Sequence, residues 1–160
     1  IYGLDFGYNN PTALIKIGFK DGMVYERQIL YERKLTPEDL LARLEDLIRE
    51  KKRFMFADSA SPERIQEIHD AGFNCLPSNK NVKAGIDRCK CLAPFVHNDS
   101  IDLIKEYQGY SYMKNKNGDV LDEPVKFNDH LLDAKRYAEY TYHLMTGHKD
   151  DFAFSIGESR

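Results

Sequence analysis

The apolar positions of this chain fall into short blocks whose period changes along its length. Residues 1–8 read as a buried strand ending in Asp5-Phe6-Gly7. Thr12 to Phe19 is a second apolar run, and Met23 to Tyr31 supplies the return strand. Between them stands Asp21-Gly22, a dipeptide that favours a two-residue hairpin. The chain therefore opens as an antiparallel meander. The spacing then turns helical. Thr36 is a capping residue, Pro37 suits the first helical position, and Leu40, Leu41, Leu44, Leu47 and Ile48 share one face.

Phe54-Met55-Phe56-Ala57 is continuously apolar, the pattern of a central strand, and Asp58 closes it. Ser61-Pro62-Glu63 starts a second helix in the same way, with Ile65 and Ile68 inward and Gly72 as its stop. Phe73 to Leu76 reads as a strand. Val82, Ile86 and Cys89 have helical spacing, and Pro94 is expected to end that helix. Phe95-Val96-His97 reads as an edge strand and Ile101 to Tyr107 as a short helix. Asn117-Gly118 marks a second hairpin, between Tyr110–Met113 and Val120–Leu121. The last long helix runs from about Asp129 to Met145, capped by Asn128. Leu131, Ala134, Ala138, Thr141 and Met145 form its packing stripe. Hairpin strands, then alternating helix and strand, then a closing helix predict an α/β fold with a mixed β-sheet flanked by helices.

Composition changes this picture little. The 160 residues suit one domain, with 42% hydrophobic and 31% charged residues. No apolar run approaches transmembrane length and nothing resembles a signal peptide, so a soluble, cytosolic protein is expected. The three cysteines, Cys75, Cys89 and Cys91, make no disulfide framework. Cys89-x-Cys91 lacks a second ligand pair for zinc and reads as helix packing. The net charge of −3 is unlike that of a simple nucleic-acid binder. A carboxylate-rich metal site would contribute to that sign, and bound cations would offset it locally. Basic residues cluster at Lys51, Lys52 and Arg53, at Lys80, Lys83, Arg88 and Lys90, and at Lys114 and Lys116.

Candidate chemistry rests on the order of the acids. Asp5 and Asp58 each close a strand-like run, and Asp133 sits on the last helix one turn after His130. Ligands of open sheets collect beyond the carboxyl ends of neighbouring strands, so Asp5 and Asp58 converge if their strands are parallel neighbours. Phosphodiester hydrolysis needs an activated water and a stabilised leaving oxygen, and two cations about 4 Å apart supply both. Mg2+ and Mn2+ prefer oxygen ligands, which explains carboxylates rather than thiolates. Asp5 is expected to bridge two such ions, with Asp58 and Asp133 each serving one. His130, on the same helix face as Asp133, can ligate a manganese ion or orient the attacking water. Asp129 is a weaker ligand candidate, since an acid in a first helical turn is favoured by the helix dipole alone. Lys80 and Lys83 are candidate phosphate contacts, Tyr110 and Tyr112 candidate sugar or base contacts. The hairpin tip at Lys114 to Lys116 is a candidate DNA-touching finger.

The stretches Gly3-Leu4-Asp5-Phe6-Gly7 and Ala57-Asp58-Ser59-Ala60, the Lys80 to Ile86 region, and Asp129-His130-Leu131-Leu132-Asp133-Ala134-Lys135-Arg136-Tyr137 together resemble the nuclease domain of tailed-bacteriophage large terminases. The last stretch resembles that family's Asp-His-x-x-Asp-Ala-x-Arg-Tyr block. The resemblance implies an RNase H-like metal-dependent nuclease domain over residues 1–147 and a polar C-terminal tail over 148–160. It implies two divalent cations, Mg2+ or Mn2+, at Asp5, Asp58, Asp133 and His130. The implied substrate is concatemeric double-stranded viral DNA, cut in the host bacterial cytoplasm during genome packaging. Family members carry an ATPase motor before the nuclease, and these residues contain no Gly-x-x-x-x-Gly-Lys-Ser/Thr loop. The implied partners are thus that N-terminal ATPase domain, the terminase small subunit and the portal protein, with no membrane.

Three rival readings share parts of this pattern. Another RNase H-like nuclease, of the Holliday-junction resolvase or transposase type, would carry the same acids. Gly3 to Gly7 followed by Asn9, Asn10 and Thr12 resembles the first phosphate loop of actin-like sugar kinases and chaperone ATPases, which need two related domains and more chain than this. A non-catalytic DNA or portal docking module would keep the acids for structure alone.

Overall fold

The Asp21-Gly22 turn sets the first half of the fold. Asp21 (φ 51°) and Gly22 (φ 77°) both take left-handed backbone, as a tight hairpin turn requires. The turn joins strand β2 (Thr12–Lys20) to β3 (Met23–Glu32), and β1 (Tyr2–Asp5) lies antiparallel on the other side of β2. The computed structural model describes residues 1–91, 93–109, 112–114, 120–124 and 129–147.

Helix α1 (Pro37–Leu47) starts at a complete capping box. The Thr36 hydroxyl accepts the Asp39 N–H at 3.1 Å, and the Asp39 carboxylate accepts the Thr36 N–H at 3.0 Å. Strand β4 (Met55–Ala57), helix α2 (Pro62–Asp70) and strand β5 (Cys75–Pro77) follow, and β4 lies parallel to both β1 and β5. Then come α3 (Val82–Lys90), β6 (Pro94–Val96) and α4 (Ile101–Gly109), with β6 parallel to β3. Strands β7 (Tyr112–Lys114) and β8 (Val120–Pro124) form a separate antiparallel pair before α5 (His130–Thr146). The main sheet has six strands in the order β5-β4-β1-β2-β3-β6.

Alternation along the strands sorts their side chains to two cores. Tyr2, Leu4, Leu14, Met55 and Ala57 meet Leu40, Leu44, Ile65 and Ile68 of α1 and α2. Ile15, Ile17, Val24 and Phe56 meet Leu103, Leu131, Ala134 and Ala138 of α4 and α5. Helices thus cover both faces of a mixed sheet, as the sequence pattern predicts. Gly3 permits the closest of these contacts. A Cβ there would lie 1.9 Å from the Ala134 carbonyl oxygen and 3.1 Å from the Ala138 Cβ. The backbone of α5 therefore rests directly on β1.

Several details differ from the sequence expectations. Strand β1 stops at Asp5 rather than running to residue 8, because the chain turns back at Gly7. There the Thr12 hydroxyl donates to the Gly7 carbonyl at 2.8 Å and accepts its N–H at 3.2 Å. Leu47 is exposed at the last turn of α1, Val82 is exposed at the first turn of α3, and Met145 is exposed near the end of α5. All three stand in a terminal turn of their helix, where an apolar residue in register with the packing stripe is left facing solvent. Ser61 precedes α2 without a side-chain capping bond. Pro94 does not end α3, which stops at Lys90; it opens β6 instead. Asn128, Tyr110 and the Asn117-Gly118 turn lie outside the described residues.

Candidate metal centre

Strand pairing places the first two acids. In the parallel pair of β1 and β4, Leu4 is opposite Ala57, so the next position in register sets Asp5 beside Asp58. The Asp58 N–H donates to the Leu4 carbonyl at 3.1 Å and continues the ladder by one bond. Both acids follow residues of the α5 face by two positions, Asp5 after Gly3 and Asp58 after Phe56, so both belong to that face. Strand β1 lies third in the sheet, flanked by β4 and β2, and its carboxyl end opens under the first turn of α5.

Helix α5 brings the rest. His130 Nδ1 lies 3.1 Å from Asp5 Oδ2, although the two are far apart in sequence. Asp133 stands one turn further along the helix, and its N–H is bonded to the Asp129 carbonyl at 2.7 Å. Asp5 is 8% exposed. Burial, reinforced by the charges of Asp133 and Asp58, pushes its carboxyl up to about 6 against the hydrogen bond from His130. That hydrogen bond to Asp5 in turn holds the His130 imidazolium above its ordinary value, against partial burial. Asp5 is thus a buried carboxylate within electrostatic reach of two others, a setting that favours a bound cation.

Each acid has a basic partner. Lys80 Nζ is 2.7 Å from Asp58 Oδ1, and Arg136 donates from Nη2 to Asp133 Oδ1 at 2.6 Å. Asp58 Oδ1 also accepts the Ala60 N–H at 3.0 Å, a strand-end turn of the kind Asp-Ser sequences make. Among the described residues no three His, Cys, Asp or Glu side chains gather closely enough to hold one ion. The donor set is right for a hard cation: carboxylate oxygens and one imidazole on rigid elements. To close on an ion, Asp58 and Asp133 would exchange Lys80 and Arg136 for it, so the residues fit such a group in charge and in chemistry.

The structure therefore brings Asp5, Asp58, Asp133 and His130 to one end of the sheet. Lys80 sits at the same place, half exposed against Asp58. Lys83 is exposed on the first turn of α3. Lys114 ends β7, and Lys116 lies outside the described residues. Asp129 is the N-cap residue of α5 and makes no side-chain capping bond. Cys89 lies on α3, where burial raises its thiol well above the ordinary value, while Cys91 is exposed at the end of that helix. Two contributors are missing from the sequence reading. Arg136 is three residues from Asp133 on one helix, a spacing that does signal an ion pair. Glu106, on α4, accepts the Leu131 and Leu132 N–H groups at the start of α5, and no local spacing signals that contact.

Residues 5–139 match the model of the family described as the terminase RNase H-like domain. The PBSX phage terminase large subunit of Bacillus subtilis (strain 168) is 26% identical over 92% of this chain. The large terminase subunit of Bacillus phage SPP1 is 26% identical over 85% of it. The chain spans about a third of the length of these curated relatives, 36% and 34%. Among solved structures, the large terminase nuclease domain of bacteriophage SPP1 with bound Mn superposes with a TM-score of 0.75 at 24% identity, covering 86% of this chain and 82% of that one. The P22 large terminase nuclease domain gives 0.70 at 21% identity, covering 90% and 80%. The large terminase of a thermophilic bacteriophage, in complex with ATP-gamma-S, gives 0.69 at 24% identity, covering 88% of this chain and 39% of that one.

Proposed function

Because this chain belongs to the terminase RNase H-like domain family, we propose that it is a divalent-metal-dependent endonuclease module that cuts double-stranded viral DNA during genome packaging. The observation that carries the reading is the convergence of Asp5 and Asp58, at the carboxyl ends of parallel neighbours, with His130 and Asp133 of α5. The manganese bound in the SPP1 nuclease domain supports the same choice of cofactor.

Asp5, Asp58, Asp133 and His130 would hold two divalent ions, Mg2+ or Mn2+. Such ions supply an acidified water and charge stabilisation for the leaving oxygen. The chain's own groups do the positioning. Asp5 is fixed by its strand and by the His130 hydrogen bond, so its carboxylate is oriented before any ion arrives. Asp58 is held at the strand end by its backbone bond to Leu4. Lys80 and Arg136 balance the carboxylates in the metal-free protein, and Lys80, once displaced, would be free to meet a DNA phosphate. Lys83, exposed on α3, would add a second phosphate contact, and Lys114 and Lys116 are proposed as further contacts to the duplex.

The length of the relatives supports a larger assembly. Relatives about three times as long, and a solved large terminase holding a nucleotide analogue, support an ATPase domain elsewhere in the same polypeptide. A small subunit and the portal would then direct the cut, in the host cytoplasm. Among the described residues no helix is long and apolar enough to cross a membrane.

The test is incubation of the wild-type chain and Asp133→Asn with supercoiled plasmid in Mn2+, Mg2+ or EDTA. Cutting by the wild type with a divalent ion only, and none by the variant, is the expected result. Cutting that persists in EDTA would defeat the metal reading. A strong preference for branched over linear DNA would favour a resolvase.

A further inference from the structure

The first turn of α5 carries both His130 and Asp133, yet its own N-cap residue leaves the helix start without a side-chain capping bond. A helix N-terminus exposes backbone N–H groups that have no partner within the helix. Here a carboxylate from another element takes two of them. Glu106 Oε2, on α4, accepts the Leu131 N–H at 2.8 Å and the Leu132 N–H at 3.0 Å. Glu106 is 5% exposed, so this is a buried acid rather than a surface contact. Burial of a carboxylate costs free energy unless hydrogen bonds offset it, and a helix N-terminus is where a negative charge is best received.

The next residue of α4 grips α5 again. Lys135 Nζ donates to the Tyr107 hydroxyl at 2.8 Å, and that hydroxyl donates to Glu26 Oε2 of β3 at 2.7 Å. Lys135 also pairs with Glu26 Oε1 at 2.7 Å, and its side chain is 4% exposed. Consecutive residues Glu106 and Tyr107 thus fix α5 at its start and one turn later. They fix both its height and its rotation on the sheet. His130 and Asp133 bracket the two amides that Glu106 holds.

We propose that Glu106 is a positioning residue for the nuclease site: it caps α5 in trans and thereby sets His130 and Asp133 against Asp5. The inference rests on the metal-nuclease reading for its catalytic consequence and on the two hydrogen bonds for its physical content. The first turn of α5 would otherwise fray, as helix ends do, and a shift of about 1 Å at a catalytic group costs on the order of 100-fold in rate.

The test uses the whole 160-residue chain with Glu106→Ala and Glu106→Gln. Three quantities are measured: plasmid cleavage in Mn2+, the Mn2+ dissociation constant by calorimetry, and exchange of the Leu131 and Leu132 amides. Expected for Glu106→Ala are a kcat lower by about 100-fold with KM for DNA within about threefold, weaker Mn2+ binding, and loss of protection at both amides. Glu106→Gln keeps an acceptor oxygen and should restore amide protection and most of the activity. A folded Glu106→Ala chain with wild-type cleavage and protected amides would overturn the proposal. So would a Glu106→Gln chain that keeps both amides protected and is as inactive as the alanine variant. If Glu106→Ala fails to fold, Glu106→Gln decides by its amides and its cleavage rate. A wild-type chain that cuts nothing in Mn2+ would defeat the nuclease reading, whereas exchange at Leu131 and Leu132 would still report on the cap.

Discussion

Asp5 is buried beside a histidine and feels two other carboxylates, and this placement separates its structural cost from its chemical use. Replacing it by Asn removes a charge that burial and like neighbours both disfavour. The metal-free Asp5→Asn chain should therefore melt at or above the wild-type temperature. Cleavage in Mn2+ should fall roughly 1,000-fold, the equivalent of about 4 kcal/mol at the transition state. Asp58→Asn and Asp133→Asn should lose as much activity, and calorimetric melting beside a plasmid assay separates the two effects. An active, folded Asp58→Asn chain would remove that acid from the site. These acids are legible in the sequence as candidates because each closes an apolar run or shares a helix face with His130, but their convergence depends on the parallel pairing of β1 with β4 and on the seat of α5. Arg136 is within reach of the same reasoning, three residues from Asp133. Glu106 is not. Its role is a contact between α4 and α5 across 25 residues, and no local spacing encodes it.

At the scale of elements, the seat of α5 on β1 decides whether the acids meet. Gly3 makes that seat possible, since any side chain would collide with the Ala134 backbone. Gly3→Ala is expected to destabilise the fold by about 1–3 kcal/mol, the usual cost of overpacking. It should also lift Asp133 and His130 away from Asp5, so activity measured well below the melting temperature should fall as well. Denaturant melts and cleavage rates at low temperature check the two parts. A stable, fully active Gly3→Ala chain would show that α5 tolerates a shifted seat. The sequence displays Gly3 inside a motif but not this reason for it, because the obstacle is backbone from a helix far away in the chain. The elements themselves are legible wherever a turn or cap signal accompanies the period, as at Asp21-Gly22, Thr36-Pro37 and Gly72. Pro94 misleads because a proline is as well suited to open an edge strand as to stop a helix.

Beneath α5 lies a second ionic cluster, and it sets a pH dependence of its own. Burial pushes the Glu139 carboxyl from 4.5 up to about 7; Lys135 opposes the shift, and the Glu26 charge adds to it. Cys89 and Arg88 of α3 face the same carboxyl. A raised acid keeps its proton in the folded state while the unfolded chain has lost it. Glu139 thus contributes stability that is complete below 4.5 and gone once the pH passes about 7. The variant Glu139→Gln lacks this titration. Its stability relative to the wild type should therefore rise as the pH goes from 5 to about 7 and then level off. Urea melts of both chains at half-unit pH steps would show it, and a constant difference would mean that Glu139 is charged throughout.

For the whole molecule the separate placements become one linkage. Asp5 and Asp58 come from the sheet, His130 and Asp133 from the helix that closes the described fold, and Glu106 from the helix that holds that one down. An ion bound among them would tie the sheet to both helices and would bind the folded state alone. At 100 times its dissociation constant such a ligand stabilises by about 2.7 kcal/mol. For a domain of this size that is a rise of roughly 5–10 °C in melting temperature. Millimolar Mn2+ should produce such a rise in the wild-type chain, little or none in Asp133→Asn, and a reversal on adding EDTA. Ca2+ offers the same charge with less demanding geometry, so a rise in Ca2+ without cleavage would separate binding from chemistry. A melting temperature indifferent to every divalent ion would count against a preformed metal site at Asp5, Asp58 and Asp133. Lys80→Gln removes one positive charge and frees Asp58 without touching an acid, so it should enlarge the Mn2+ response.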